Sequence, residues 1–460
     1  MTDSDATSST RTGVTASQQA AQPIPLRSIF QTWWPLATSW LLMSIELPLV
    51  SAVLARLAEP RISLAAYGGV VFPISLLIES PIIMLLAAST TLSRDWASYL
   101  LVRRFMVGAA LALTAIHAAV AFTPLFDLVV GRWIGAPAEI QPAARIGLQI
   151  MTPWTASIAY RRFHHGVLIR FGHSRAVGSG TLIRIVMNAL TLAIGAAIGG
   201  VPGIVIGTAG VAVGVTLEAL FIGWRVRPVL RGPLRAVAPA STPLTWSAFL
   251  EFYVPLALTS FLLLASMPIG SAGMSRMPRP LDSLATWPVL NGLFFLFRGI
   301  GIAFNEVVVA RAEDPGAVDA LRRFSWMMSM IMTAVFLLLA ATPASRFWFE
   351  TISGLSPQLS ALGRSALWIG ALFPGLAFIQ SFHTGLLVHS RMTRAVTESV
   401  VFSLVASVAV IALGVFLGRV PGVYVALLGV VLGALAQVGW LIRRSRPILV
   451  TSSRRAARYA

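Results

Sequence analysis

Apolar stretches of about 20 residues alternate with short polar segments along almost the whole chain, from Phe30 to Leu441. Each stretch is long enough for a helix to cross a hydrocarbon layer of about 30 Å. Breaks at Pro, Gly and Arg positions divide the stretches into about twelve predicted helices. These lie at 30–55, 63–90, 98–124, 140–169, 176–199, 203–225, 247–273, 283–311, 318–342, 358–389, 395–418 and 422–442. The pattern therefore predicts an all-α polytopic membrane protein.

The residues that punctuate the helices recur about 220 positions later. At an offset of 220 the first-half set is Pro35-Leu36-Ala37, Pro48, Arg56, Pro60 and Ser63-Leu64-Ala65, and the second-half set is Pro255-Leu256-Ala257, Pro268, Arg276, Pro280 and Ser283-Leu284-Ala285. At an offset of 219, Phe163-His164-x-Gly166 matches Phe382-His383-x-Gly385, and Val201-Pro202-Gly203 matches Val420-Pro421-Gly422. A collinear series of this length indicates a duplicated unit. Since six helices is an even number, the repeats are expected to be parallel, a design used by alternating-access transporters.

Charge placement predicts the orientation of the chain. The formal charge is +18, yet only 11% of residues are charged, against about 25% in a soluble domain. Arginines concentrate in alternate loops, which predicts both termini in the cytoplasm of an inner-membrane protein and gives no reason to expect a nucleic-acid partner. The predicted division is a disordered cytoplasmic tail at 1–26, an N-terminal six-helix lobe at 27–225, a cytoplasmic linker at 226–246, a C-terminal six-helix lobe at 247–442 and a basic cytoplasmic tail at 443–460.

The sequence lacks the motifs of several enzyme classes. It contains no Cys, no phosphate-binding Gly-x-x-x-x-Gly-Lys loop and no Gly-x-Ser-x-Gly elbow. We therefore expect neither an enzyme nor an ATP-driven pump, with no metal or cofactor and with a proton or sodium gradient as the energy source. Spacings such as Gly210-x-x-x-Gly214 favour packing within one bundle, so a monomer is expected.

Polar side chains at membrane depth are the candidate substrate or ion ligands, because an ionised group in mid-membrane costs at least about 2.5–3.5 kcal/mol unless it faces a cavity or a partner. The candidates are Glu46, Glu79, Arg161, Arg162, Arg184, Asn188, Arg298, Asn305, Glu306, Gln380 and His383. Glu46 and Glu79 each precede a proline by two residues, and a proline interrupts the helix next to them. The alternative interpretation is a structural ion pair between one of these acids and Arg161 or Arg162.

Five other titratable residues are assigned to the helix ends. His164, His165 and His173 are expected at the membrane interface, and Glu218 and Glu398 are expected to pair with loop arginines. The buried charges also do not repeat between the halves: Glu46 is opposite Ser266, Glu79 opposite Gly299, Arg184 opposite Ser403 and Arg298 opposite Ile78. We therefore expect an asymmetric cavity at these unmatched residues.

The repeat punctuation resembles that of the MOP flippase superfamily, which includes MATE exporters, lipid-linked oligosaccharide flippases and progressive ankylosis proteins. The openings Trp33-Trp34-Pro35-Leu36-Ala37 and Tyr253-Val254-Pro255-Leu256-Ala257 resemble the first and seventh helices of those proteins. The segment from Arg364 to Gly385 resembles the tenth helix of the progressive ankylosis branch. The resemblance implies a V-shaped pair of six-helix lobes, a coupling acid matched by Glu46 and, from the ankylosis branch, a polyvalent anion as substrate.

These observations favour an ion-coupled secondary exporter for a small organic or phosphate-type ion or a drug-like solute, working within the lipid bilayer. A lipid or lipid-linked glycan flippase of the same fold is the main alternative. A major-facilitator-type transporter is less favoured because the loop Thr91-Leu92-Ser93-Arg94-Asp95-Trp96 lacks the glycines of that family's motif. An intramembrane transferase using His164 or His165 is a further alternative.

Overall fold

The computed structural model describes residues 25–314 and 316–459, with side chains described as far as residue 450. Its described residues form twelve long helical segments, and all but two of their ends lie within four residues of the predicted positions. The segments are α1 (Leu26–Leu54), α2 (Pro60–Leu92), α3 (Trp96–Phe122), α4 (Gln141–Arg170), α5 (Ser174–Ile198), α6 (Gly203–Arg231), α7 (Trp246–Ser275), α8 (Pro280–Arg311), α9 (Ala317–Ala341), α10 (Pro357–His389), α11 (Thr393–Leu417) and α12 (Gly422–Tyr459). The exceptions are α6 and α12, which run further than predicted. The proposed tail at 1–26 lies almost entirely outside the described residues.

Eleven of these segments are long and apolar enough to cross a membrane. The remaining one, α4, has the length to do so but carries Arg145, Arg161 and Arg162 along its 30 residues. It packs against α2, α3 and α6, so much of its surface is covered by other helices and not by lipid. The all-α membrane fold predicted from the hydrophobic pattern is confirmed.

Prolines interrupt α1 and α2 beside the two acids. The first piece of α1 ends at Ser44, and the second begins at Glu46. Pro48 has no N–H to donate to the carbonyl of Ser44, so the hydrogen-bond ladder fails at this point. In α2 the helix is interrupted at Met84, one turn after Pro81. The matching prolines of α7, Pro255 and Pro268, lie inside an unbroken helix, so the repeated sequence gives different backbones in the two halves.

Each half contributes its first helix to the core of the other half. The first piece of α1 packs against α8, where the Trp33 indole donates to the Ile300 carbonyl at 3.0 Å and its ring meets Phe324 and Phe378. We call this end of the bundle, where α1 begins, the N-face. At the same end the start of α7 packs against α2 and α3: Tyr253 donates to the Pro81 carbonyl and its ring stands against Phe105.

We call the opposite end of the bundle the far face. There an arginine of each half contacts a π-helix of the other half, at positions that correspond in the repeat. A short π-helix comes after α3 (Asp127–Ile134), and another comes after α9 (Phe347–Ile352). Arg56, after α1, donates to the carbonyls of Thr351 and Ile352 at 2.5 and 3.0 Å. Its counterpart Arg276, after α7, donates to the carbonyls of Arg132, Trp133 and Ile134 at 2.8–2.9 Å. Each arginine thus caps the C-terminal end of a π-helix in the other half, where carbonyls lack partners within the helix.

Candidate functional site

Two helices of the first half, α4 and α5, converge on one carboxylate, Glu218 of α6, which is fully buried. Arg161 of α4 donates to its Oε2 at 2.5 Å, and the Arg184 Nε of α5 lies 3.5 Å from the same atom. The His165 Nε2 is 3.6 Å from Oε1. Since a buried carboxylate is tolerated only with such partners, Glu218 is the centre of the site.

Glycines in α6 allow α5 to approach closely enough for these contacts. A Cβ on Gly214 would lie 2.8 Å from the Arg184 carbonyl oxygen, and one on Gly210 would lie 2.6 Å from the Asn188 Oδ1. A larger residue at Gly214 would displace the backbone of α5, and one at Gly210 would displace the Asn188 amide. The Gly210-x-x-x-Gly214 spacing therefore serves helix packing inside the bundle, and it allows Arg184 to reach Glu218.

Glu46 extends the network into α1. Its Oε2 lies 3.2 Å from the Arg184 Nη1, and its Oε1 accepts from the Asn188 Nδ2 at 3.1 Å. Arg184 therefore bridges Glu46 and Glu218, which gives a continuous chain from Glu46 through Arg184 and Glu218 to Arg161. The Glu46 carboxylate of α1 is thus bound to the first half, whereas the first piece of the same helix packs on the second half.

Glu79 and Arg162 complete the cluster without a close ion pair. Glu79 is buried and lies in electrostatic range of Arg162, Arg161 and Arg184, but its Oε2 has no hydrogen-bond partner among the described residues. The cluster thus sets the carboxylates of Glu46, Glu79 and Glu218 against three guanidinium groups, with no net formal charge.

The candidates of the second half do not form such a cluster. Asn305 donates to the Ser381 carbonyl at 3.3 Å, and the His383 Nδ1 lies 2.7 Å from the Ser445 hydroxyl. Exposed Glu306 accepts from the Trp40 indole at 3.3 Å, and Gln380 is half-buried. Arg298 stands apart from all of them.

Arg298 lines a cavity of about 90 Å³ between α7, α8, α10, α11 and α12. Its guanidinium carbon lies 4.8 Å from the centre of the Phe373 ring. The side chain is half-buried, its Nε is enclosed and has no hydrogen-bond partner in the described part of the chain, and no carboxylate is found among the residues lining the cavity.

Three positions differ from expectation. Glu218 lies in the core and pairs with α4 and α5, not with loop arginines. His164 and His165 are buried, not interfacial, because α4 is covered by its neighbours. The expected pairing of Glu398 is confirmed by Arg394 and Arg444 at 3.3 and 3.4 Å. Glu218 follows Gly214 by four residues and so shares its helix face, a signal that would have placed it against α5.

Comparisons with known proteins show which solved structures have a similar fold. No family model matches the chain, and no curated protein is similar to it in sequence. Among solved structures, an inward-facing multidrug resistance MATE transporter of the MOP superfamily is similar over 91% of this chain and 98% of its own, with a TM-score of 0.68 and 16% identity. The lipid II flippase MurJ in an inward closed conformation is similar over 89% of this chain and 87% of its own, with a TM-score of 0.71 and 15% identity.

The chain has the MOP superfamily fold. A MOP superfamily transporter from Pyrococcus furiosus, whose binding pocket is described as having reverse polarity, has the same fold, with a TM-score of 0.62 and 15% identity over 97% of this chain and 99% of its own. This fold thus occurs in transporters and in a lipid flippase, so the chemistry of this chain has to be argued from its own residues.

Proposed function

We propose that this chain is a secondary membrane transporter that exports a small ionic or drug-like solute by alternating access, coupled to a proton or sodium gradient. The observation that carries the proposal is the buried network of Glu46, Arg184, Glu218 and Arg161. Buried ion pairs are seldom stabilising compared with apolar packing, so such a network favours a functional role.

Coupling requires an element that contacts the bound ion and also changes its contacts when the conformation changes, and α1 meets this requirement. Its second piece is tied to the first half by the Glu46–Arg184 pair, and its first piece is packed on the second half around Trp33. Cation binding at Glu46 would compete with Arg184 and loosen α1 from the first half. A ligand shifts a conformational equilibrium only through such a difference in contacts.

Glu79 is the second coupling residue in this proposal. It has a buried carboxyl oxygen with no partner among the described residues, and it stands two residues before Pro81, whose carbonyl accepts from Tyr253 of α7. Both acids therefore lie next to contacts through which the two halves exchange helices. The distribution of arginines supports cytoplasmic termini in the inner membrane.

Proteoliposome transport tests this proposal. We expect a trapped proton or sodium gradient to drive uptake of ethidium or radiolabelled citrate by the wild type, and Glu46→Gln and Glu79→Gln to reduce the gradient-dependent component at least about tenfold. Glu350→Gln is the control, because Glu350 lies in the second π-helix, where it pairs with Arg346 and not with either acid's partners. Gradient-dependent transport that is unchanged in both variants would refute the coupling role.

A lipid flippase is the second candidate, favoured by the structural similarity to MurJ. It predicts gradient-stimulated movement of a fluorescent phospholipid between leaflets, measured by dithionite quenching, and no uptake of either soluble probe. The two functions are thus separated in the same vesicles.

A further inference from the structure

The cavity beside Arg298 is the second copy of the site that the ion-pair network occupies in the first half. At offsets of 219 and 220, the network residues correspond to neutral polar residues of the second half. The pairs are Glu46 with Ser266, Arg184 with Ser403, Asn188 with Ser407, Glu218 with Gln437 and Arg161 with Gln380. Four of these second-half residues, Ser266, Ser403, Ser407 and Gln437, line the cavity. The two sites therefore occupy corresponding locations in the two halves, but the side chains are charged in the first half and neutral in the second.

This exchange explains why one copy is filled and the other is open. In the first half, long side chains meet in ion pairs at 2.5–3.5 Å and fill the space between the helices. In the second half, three serines take the place of a glutamate, an arginine and an asparagine, so the same space holds fewer atoms. A single buried water needs a cavity of about 10–15 Å³, so about 90 Å³ admits a group of several heavy atoms.

The exchange also removes the counter-charge. All three carboxylates of the first-half cluster are lost, since Glu79 corresponds to Gly299, and Arg298, which corresponds to Ile78, adds a cation. Its guanidinium group contacts the Phe373 ring, and its Nε has no hydrogen-bond partner among the described residues. A cation at this depth needs a compensating negative charge, which the residues around the cavity do not supply.

We propose that this cavity binds the phosphate or carboxylate group of an anionic ligand on the Arg298 guanidinium. The Gln437 amide donates to Ser399 at 3.4 Å and has a second N–H available, and the Ser403 hydroxyl adds a further donor. The hydroxyls of Ser266 and Ser407 donate to the backbone carbonyls of Leu263 and Gly429 and can accept from a protonated ligand. In the charged first copy, by contrast, Arg161 and Arg184 are already paired with the carboxylates of Glu218 and Glu46.

The phosphate or carboxylate group belongs either to a soluble multivalent anion or to a lipid headgroup. If the anion is the exported solute, that assignment rests on the proposed function. Binding of the anion to the cavity does not depend on the proposed function. The experiment therefore measures equilibrium binding to the full chain in phosphatidylcholine nanodiscs. One arm titrates inorganic phosphate and citrate, and the other replaces part of the lipid with phosphatidylglycerol and follows the melting temperature.

In whichever arm the wild type binds, Arg298→Gln should weaken binding at least about tenfold, since a hydrogen bond to a charged group is lost. Arg298→Lys should retain most of it. Gln437→Glu restores the carboxylate present in the first copy and should weaken binding to a similar extent, whereas the neutral control Gln437→Met should change it less than about threefold.

Binding that is unchanged in Arg298→Gln or in Gln437→Glu would overturn the proposal. So would a folded wild type that binds none of the probes in either arm. If gradient-driven ethidium transport persists in such a case, the anion site is rejected and the transport function stands.

Discussion

At the scale of single residues, the decisive group is Glu218, which satisfies two arginines from different helices. Arg161 and Arg184 both approach its Oε2; Arg184 also pairs with Glu46, whereas Arg161 has no other carboxylate within ion-pair distance among the described residues. The depth of Glu46, Arg161 and Arg184 was predicted from the apolar stretches that contain them, whereas Glu218 was expected at a helix end. Their partners were not, because pairing depends on how α1, α4, α5 and α6 are placed around one another.

Removal of the Glu218 charge should destabilise the fold strongly. We expect Glu218→Gln to lower the free energy of unfolding by about 3–5 kcal/mol, because Arg161 is left as an uncompensated buried cation. The measurement is denaturant unfolding in detergent micelles. Glu398→Gln is the control: its pairs with Arg394 and Arg444 are partly exposed, so a loss of at most about 1 kcal/mol is expected.

Addition of Arg161→Met to the Glu218→Gln variant tests the cause of this loss of stability. If the loss comes from the unpaired cation, the double variant should recover part of the stability of the wild type. A double variant less stable than Glu218→Gln would show that the Arg161 side chain is needed for packing and not for charge balance.

At the scale of helices, the sequence located the ends well because the end signals are local. Asp95 is an example: its side chain accepts from the Ser98 N–H at 2.7 Å and caps α3. Its other oxygen accepts from the Ala240 N–H of the α6–α7 connection at 2.9 Å. The interruption of α1 was predictable from Pro48, yet Pro268 leaves α7 intact, so a proline does not determine by itself where a helix breaks.

Loss of the Asp95 cap should destabilise the protein in a pH-dependent way. Burial acts to raise the pKa of Asp95, but hydrogen bonds from the backbone N–H groups of Ser98 and Ala240 outweigh it and lower the pKa. We expect Asp95→Ala to cost about 0.5–2 kcal/mol and Asp95→Asn, which keeps the cap, to cost less.

The sign of the pH effect follows from the lowered pKa. The stabilisation is fully present above the pKa of the unfolded state, about 3.9, and is lost only as pH falls through the lower pKa of the folded state. Melting temperatures of the wild type and Asp95→Ala should therefore differ equally at pH 8 and pH 5. A difference that already disappears at pH 5 would contradict this assignment.

At the scale of the whole molecule, two arginines that correspond in the repeat link the halves on the far face. Arg56 and Arg276 each donate to the last carbonyls of the opposite π-helix, beside Gly354 and Gly135, which have positive φ. The pair Arg61–Asp282, at 2.5 Å, adds a third link on this face. We expect these contacts to hold the far face closed.

Opening of this face can be measured with a single cysteine, because the chain has none. Thr286→Cys places a thiol at a fully buried position near the start of α8. In nanodiscs, Arg56→Gln with Arg276→Gln should raise its labelling rate by a hydrophilic maleimide about three- to thirtyfold, since each cap is worth about 0.3–1 kcal/mol.

The matched control is Arg132→Gln, which removes a positive charge from the same face but keeps the backbone carbonyl that Arg276 uses. Equal labelling in the wild type and the double variant would show that the caps do not govern access.

The sequence by itself determined the helices, the duplication and the depth of Glu46, Arg161 and Arg184, because apolar length and local breaks depend on neighbours along the chain. Only the tertiary structure decided that Glu46 pairs with Arg184, that Glu218 is the centre of the network and that Arg298 faces a cavity. Pairing, filling and enclosure depend on distances between side chains that are far apart in sequence. Those distances are set by close packing of helices, which the repeat alone does not specify.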